Sequence, residues 1–407
     1  MALPVNLVQA VERACQLASE AVLWPGFRPE RVPLVLHGGG EAYLLGHPSP
    51  PEGFSPDGEV AGRPLFRGPV LPEMMANTAQ EVAGALSALV MLPTEPLTDP
   101  DRFGRLLLHE AFHVFQQEAL PHPGWDGPRM LEAMGRYPEN DPPNNALAIV
   151  ENRLLSAALA GGEGAVSAFL SVRRHRHGRL NRRGLAELVG YERFVEYNEG
   201  TPTYIEVRAG LPVAELRERL AACSRGGKWA GYQRFYYTGA ALALILDRLM
   251  AGWQERFARG GATLEGLVRA AVAEPLPPVS QVLEEQAFRP ILDEEERLER
   301  ERRERVAGLL AQLREGPGVQ VEISLPPTVF GVMWDPRSVL NLGDGVRLHT
   351  TRCGALGPDG LRVQLEGLCL EEPGAEGRRL TLRLPVRPAV EQGERFRALA
   401  PGLSIEA

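Results

Sequence analysis

The sequence predicts an α+β protein: a mainly helical domain with a small N-terminal sheet, followed by a C-terminal all-β module. Three observations carry this expectation. Strand-like runs in the first third are confined to residues 30–93. Helical periodicity dominates residues 100–315. Beyond Gly316 short alternating runs such as VQVEISL, LRVQLEGLCLE and RLTLRLPV are separated by Pro/Gly turns. The boundary is placed near Gly316–Gly318, giving domains of residues 1–316 and 317–407.

The first element is an amphipathic helix in MALPVNLVQAVERACQLASEAV, where Glu12 and Glu20 interrupt the apolar positions. It lacks the basic head and apolar core of a signal peptide. Strand-like runs follow at Pro33–His37 and Ala42–Leu45. Gly38–Gly40 between them lacks the spacing of a phosphate loop and reads as a hairpin turn. Residues His47–Pro72 read as a Pro- and Gly-rich loop, Gln80–Ala85 as the end of a helix, and Leu86–Leu92 as a buried strand. Asp99 and Asp101 offer caps for a long helix over Arg102–Leu120. Residues 146–171 read as two helices parted by Gly161–Gly164, and 184–210, 212–223 and 235–258 are helical. Ile291–Leu313 is a heavily charged helix without sustained coiled-coil positions, so it is expected to be solvated or bridging.

Composition excludes several classes. The hydrophobic fraction of 44% with 24% charged residues is that of a globular chain. A net charge of −8 gives no basic footprint, so no nucleic-acid partner is expected. No stretch approaches the ~20 apolar residues of a membrane span, so no membrane partner is expected either. Cys15, Cys223, Cys353 and Cys369 are far apart in sequence. They suggest reduced thiols in a cytoplasmic protein rather than a thiolate metal cluster or disulfide framework.

The chemistry concentrates in LLLHEAFHVFQQ, residues 106–117. On a helix His109 and His113 project from one face, and Glu110 lies about 100° round from His109. Two imidazoles at this spacing suit zinc, and the carboxylate between them suits a general base. The flanking leucines, Phe112, Val114 and Phe115 would bury the helix. A catalytic zinc needs a third protein ligand. The best source is VEYNEGTPTYIEVR, residues 195–208, with Glu199 the leading candidate and Glu196 and Glu151 its rivals.

Asn198-Glu199-Gly200, with Tyr204 and Glu206 after it, resembles the NEGxxxYxE signature of gluzincins, especially the zinc aminopeptidase family. The resemblance covers roughly residues 84–250. It implies one zinc per chain on His109, His113 and Glu199, with Glu110 as general base in a zincin-type catalytic domain. Glu199 follows His113 by 86 residues, longer than in the aminopeptidases, though EGxAxY-type peptidases tolerate longer connections. Pro202 departs from the pattern and should kink or restart the helix just after Glu199. RFYYTGAALALILDRL, from Arg234, resembles the YxxG segment of the same family. That makes Tyr236, three residues before Gly239, the implied oxyanion donor, with Tyr237 the alternate.

A third comparison fails. Where the aminopeptidases carry a GxMEN strand with an amine-binding Glu, this chain has Gly84-Ala85-Leu86-Ser87-Ala88, 25 residues before His109. The amine anchor is missing, although the strand could still pair with an extended peptide backbone. Glu196 or Glu206 could replace the anchor.

The expected function is therefore a zinc metallopeptidase of endo- or oligopeptidase type, acting on a peptide or small protein. The alternatives are a non-peptide amide or ester hydrolase on the same scaffold, or a non-catalytic zinc-containing binding protein. Two features stay outside this reading. The run Arg173, Arg174, His175, Arg176, His177, Arg179, Arg182 and Arg183 reads as a solvated face, or else as an attractor for acidic substrate. His37, His47, His122 and His349 have no ligand-like partners nearby in sequence.

Overall fold

The computed structural model describes every residue except 1–3, 72–73, 75–76, 94–96, 224–229, 327–330, 335–337, 357–360, 375–376, 393–395 and 407. It is an α+β structure of two compact units, each assembled from separate stretches of chain. The first comprises Met1–Asp126, Ile149–Ser224 and Tyr232–Leu283; the second comprises Gly127–Ala148, Arg225–Gly231 and Glu284–Ala407.

The first unit opens with α1 (Val5–Glu20), which buries Leu7, Ala10, Val11, Ala14 and Leu17 along one face. A six-stranded sheet follows, formed by β1 (Leu34–Gly38), β2 (Glu41–Leu45), β3 (Ser55–Val60), β4 (Arg63–Pro69), β5 (Thr78–Val82) and β6 (Ala85–Met91). Their order is β3-β4-β2-β1-β6-β5. β1 and β6 are parallel, with Leu34 opposite Ala88; the other pairs are antiparallel. Gly39 and Gly40 both have positive φ, which closes the β1–β2 hairpin as the triple glycine predicts.

Two expectations for this region are overturned. The presumed loop His47–Pro72 contains the β3–β4 hairpin, turned at Ala61-Gly62 with both φ positive. Its prolines mask the strand pattern, yet Pro56 lies on an edge strand and Pro64 and Pro69 lie near the ends of β4. The presumed helix end at Gln80–Ala85 is instead β5, the Ala83-Gly84 turn and the start of β6.

α2 (Pro100–Ala119) carries the histidine pair. Asp99 caps it, accepting from the Arg102 amide at 2.9 Å. α1 lies so close to α2 that a Cβ on Gly104 would come within 3.1 Å of the Ala10 carbonyl. Phe112 is buried among Trp24, Phe27 and Phe115.

After α3 (Gly127–Arg136) and α4 (Pro142–Leu159), the first unit is completed by α5 (Ala165–Arg182), α6 (Ala186–Val195), α7 (Thr201–Arg208), α8 (Val213–Ala222) and α9 (Ala230–Leu249). Three short helices follow, α10 (Trp253–Ala258), α11 (Leu264–Ala271) and α12 (Val279–Glu285). The expected single helix over 235–258 is two, broken at the left-handed Gly252.

α13 (Phe288–Glu315) belongs to the second unit rather than to the first. Its middle is laced by exposed pairs such as Arg297 with Glu294 and Glu301, as its composition suggests. Its C-terminal turns differ. Leu313, with Val306, Leu309 and Leu310, packs against Leu340, Leu348 and Leu370, so the charged helix is docked at one end.

The β module has strands β7 (Val319–Leu325), β8 (Gly331–Trp334), β9 (Val339–Gly343), β10 (Val346–His349), β11 (Arg352–Leu356) and β12 (Arg362–Glu366). β13 (Cys369–Gly374), β14 (Gly377–Leu384), β15 (Ala389–Gln392), β16 (Phe396–Ala400) and β17 (Leu403–Glu406) complete it. They form two sheets, β7-β14-β13-β10-β9 and β15-β16-β17-β12-β11-β8. A single apolar core draws on both: Leu380 and Leu382 from one, Val363, Leu365 and Leu403 from the other. Cys353 and Cys369 are free thiols within it.

Candidate metal centre

His109 and His113 stand one turn apart on α2, their rings 5.1 Å between centroids. A helical segment from α6 to α7 faces them. Between these two helices, Glu196–Gly200 forms a π-helical turn. Pro202 enters at the start of α7, where its missing amide is tolerated. The expected disturbance after Glu199 thus takes the form of a widened turn rather than a break, and widened turns of this kind are frequent at functional sites. Its effect is to present Glu199 to both imidazoles.

Glu199 Oε2 lies 3.5 Å from His109 Nε2 and 3.6 Å from His113 Nε2. These three side chains form a group able to hold a metal ion, with ligand atoms all within 4.8 Å of one another. Ligands about 2.0–2.1 Å from a tetrahedral zinc stand about 3.4 Å apart, close to the two observed separations. The donor set, two imidazoles and a carboxylate, is also one that zinc accepts.

Each of these three side chains is oriented from behind. His109 Nδ1 is 2.7 Å from Glu206 Oε1, which leaves Nε2 facing Glu199. His113 Nδ1 is 2.8 Å from Gln116 Oε1. The Gln116 amide is fixed by its other end, since Nε2 donates to the Tyr197 carbonyl and to Thr201 Oγ1, both at 2.9 Å. Its oxygen therefore points at His113 and accepts from Nδ1–H, freeing Nε2 for a cation. Glu199 Oε1 accepts from Asn198 Nδ2 at 3.0 Å and from the Tyr232 hydroxyl at 3.2 Å. Burial disfavours the charged form of Glu199, but hydrogen bonds to the two histidines hold it well below the usual carboxylate range.

Glu110 is 5% exposed. Burial raises its pKa against the opposing pull of His109 and His113, with Glu199 and Glu206 adding to the rise. A buried carboxyl displaced upward beside a cation site is suited to taking up and releasing a proton. The Tyr236 ring lies 6.3 Å from that of His109 and nearly parallel to it. Burial and the charge of Glu199 raise its pKa, so its hydroxyl stays protonated and able to donate. Tyr237 instead lies beneath the Arg219 guanidinium. Gln116 and Tyr232 escape the sequence reading, although both carry a helical signal: Gln116 follows His113 by three, and Tyr232 precedes Tyr236 by four.

The two glycines of the NEG and YxxG segments meet. A Cβ on Gly239 would lie 2.6 Å from the Glu196 carbonyl oxygen and 2.7 Å from Gly200 Cα. Both are backbone atoms that cannot swing aside, so α9 can approach the π turn this closely only with glycine at both positions. Gly239→Ala is expected to destabilise the protein by about 1–3 kcal/mol, as overpacking typically does, and to displace Glu199. Thermal denaturation and zinc affinity, measured together, test this; an unchanged midpoint and affinity would contradict it.

The rival ligands are held elsewhere. Glu196 accepts from Arg173 Nη1 and Thr238 Oγ1, both at 2.7 Å. Glu151 accepts from Arg173, Arg176 and Arg234. Glu192 accepts both Nη groups of Arg176 at 2.6 Å. Arg173 and Arg176 are fully buried, which corrects the solvated-face reading of the basic run. Only its other side is exposed, at Arg174, His175, Arg182 and Arg183. Glu151 is shifted from 4.5 to about 2, with burial opposing and the three arginines prevailing. Its stabilisation is thus fully present above about pH 4.5 and lost as pH falls towards 2, amounting to about 3 kcal/mol. Acid unfolding of the wild type should follow this window. Arg176→Met, which takes from both Glu151 and Glu192 a buried bidentate partner and leaves them only their weaker ones, should cost about 3–5 kcal/mol in urea denaturation at neutral pH.

The strand aligned with GxMEN also has a different place. β6 is paired on both sides, so it cannot receive a substrate backbone; β5 is the edge strand on that side of the sheet. Ser87 is buried and donates to the Ala85 carbonyl at 2.9 Å. Among the remaining histidines, His47 bonds the Val82 carbonyl at 2.9 Å and His349 bonds Glu371 at 2.8 Å within the β module.

No protein-family model, curated protein or solved structure matches this chain. Among the described residues, no helix is long and apolar enough to cross a membrane.

Proposed function

We propose that the protein is a zinc-dependent peptidase of the gluzincin type, with His109, His113 and Glu199 holding one zinc ion per chain. The observation that carries this reading is the convergence of Glu199 on both imidazoles beside the buried Glu110. When bound, zinc supplies a Lewis acid that lowers the pKa of water and polarises a carbonyl. Glu110 takes the proton from the attacking water and returns it to the leaving amine. Tyr236, with Tyr232 near it, donates to the oxygen on which charge develops. A site that merely held metal would not need a buried general base or the Tyr236 hydroxyl.

An extended peptide would join the sheet along the β5 edge, which adjoins α2 where Gln117 donates to the Ala79 carbonyl at 3.2 Å. Endo- or oligopeptidase action is favoured because Glu196 and Glu206 are engaged by Arg173 and His109, so neither is free to hold a substrate amine.

The test is incubation of the purified protein with a defined peptide library, read by mass spectrometry. Cleavage at internal bonds, abolished by 1,10-phenanthroline and restored by added zinc, is expected. Absence of chelator-sensitive cleavage would overturn the peptidase reading. Removal of single residues from free amino ends only would overturn the endopeptidase part.

A further inference from the structure

A second site lies on the other side of the histidine helix. At about 100° per residue, Leu107, Leu108 and Ala111 project from the side of α2 opposite His109 and His113. They line a partly open pocket of about 340 Å³, bounded also by α1, the segment from Phe27 to Glu30, Leu34 and Arg63. That volume is about twice the 150 Å³ of an engineered apolar cavity able to hold benzene. Pockets of this size and lining suit small organic ligands.

One wall carries a charge. Arg63, only 8% exposed, lines the pocket. Its Nη2 donates to the carbonyls of Val32 and Leu45, which pins the guanidinium in place. Its Nε lies against Gly46, and Nη1 makes no hydrogen bond among the described residues and is not sealed from solvent; no carboxylate among those residues forms an ion pair with it. Glu30, exposed, also lines the pocket; its charge favours the Arg63 cation without forming an ion pair with it. Burial works against the charged form, which lowers the Arg63 pKa. A sheltered guanidinium held in place without an anion can give an arriving carboxylate a charge-assisted hydrogen bond. Cys15, half-buried, lines the same space and offers a reporter.

We propose that this pocket binds a small apolar monocarboxylate, its hydrocarbon body between α1 and α2 and its carboxylate on Arg63. The site is separate from the metal centre and does not depend on the peptidase reading.

Octanoate is the probe, with 1-octanol and octylamine as the neutral and cationic counterparts. Isothermal titration calorimetry at low salt should show octanoate binding at least about tenfold more tightly than octanol, and octylamine weakest. Arg63→Gln should bring octanoate to the level of octanol. His113→Ala should bind octanoate as the wild type does, which places the ligand away from the metal ligands. In the unaltered protein octanoate should slow alkylation of Cys15 by N-ethylmaleimide, read by peptide mass spectrometry. This last measurement decides even if Arg63→Gln fails to fold. Equal binding of octanoate and octanol, loss of binding in His113→Ala, or no protection of Cys15 would each overturn the proposal.

Discussion

Glu110→Gln should retain its zinc and lose about 10²–10⁴-fold in peptide hydrolysis. The substitution keeps the shape of the side chain and removes only its ability to accept and return a proton. Glu110 sits in a fully formed helix, and the residues three and seven before it, Leu107 and Phe103, are buried, so the amide should be accommodated without repacking. Metal retention follows because the three candidate ligands and their partners Glu206 and Gln116 are untouched. The measurement pairs turnover on a library-derived peptide with metal analysis of the same sample. Turnover within about threefold of wild type would show that Glu110 is not the base.

Glu199→Ala is the second large effect. It removes one of the three proposed ligands and leaves two imidazoles facing an empty carboxylate position. Zinc affinity should fall by well over about 100-fold, beyond the 10–100-fold typical when an outer partner of a ligand is lost. Glu206→Gln provides that internal comparison. It leaves all three ligands in place and weakens only the hold on His109 Nδ1, so its loss should stay within the smaller range. Competition against a chromophoric chelator reads both affinities. Equal losses in the two variants would show that Glu199 is not a ligand, and so would unchanged affinity in Glu199→Ala.

The parts of the fold that were legible in the sequence are those governed by local rules. α2 was readable because the cap at Asp99, the apolar stripe and the histidine spacing all agree. The β1–β2 hairpin was readable because three consecutive glycines leave few other conformations. The β3–β4 hairpin was hidden because Pro56, Pro64 and Pro69 are strand-breakers in isolation, and only their edge and terminal positions in the sheet excuse them. TAQEV lacks clean alternation and in isolation reads as a helix end; its partner β6 decides its state.

The site divides in the same way. The i, i+4 pair of histidines is a property of one helix, but the approach of Glu199 depends on a π turn that no short-range pattern announces. The basic run misled because charge alone does not reveal which side of a helix is covered. Arg173, Arg176 and His177 recur at three- and four-residue spacing, the period of a buried face, and their partners Glu151, Glu192 and Glu196 come from helices elsewhere in the chain. The close passage of Gly200 against Gly239 likewise joins two segments that sequence shows only as separate motifs.

Everything proposed for the site depends on a metal held where His109, His113 and Glu199 converge. Crystals grown with zinc and measured on either side of the zinc absorption edge test this directly. The expected result is one strong anomalous peak about 2.0–2.2 Å from His109 Nε2, His113 Nε2 and a Glu199 carboxylate oxygen, with a fourth position left to solvent. A map without a peak at that point, or with zinc bound only elsewhere on the chain, would contradict the assignment.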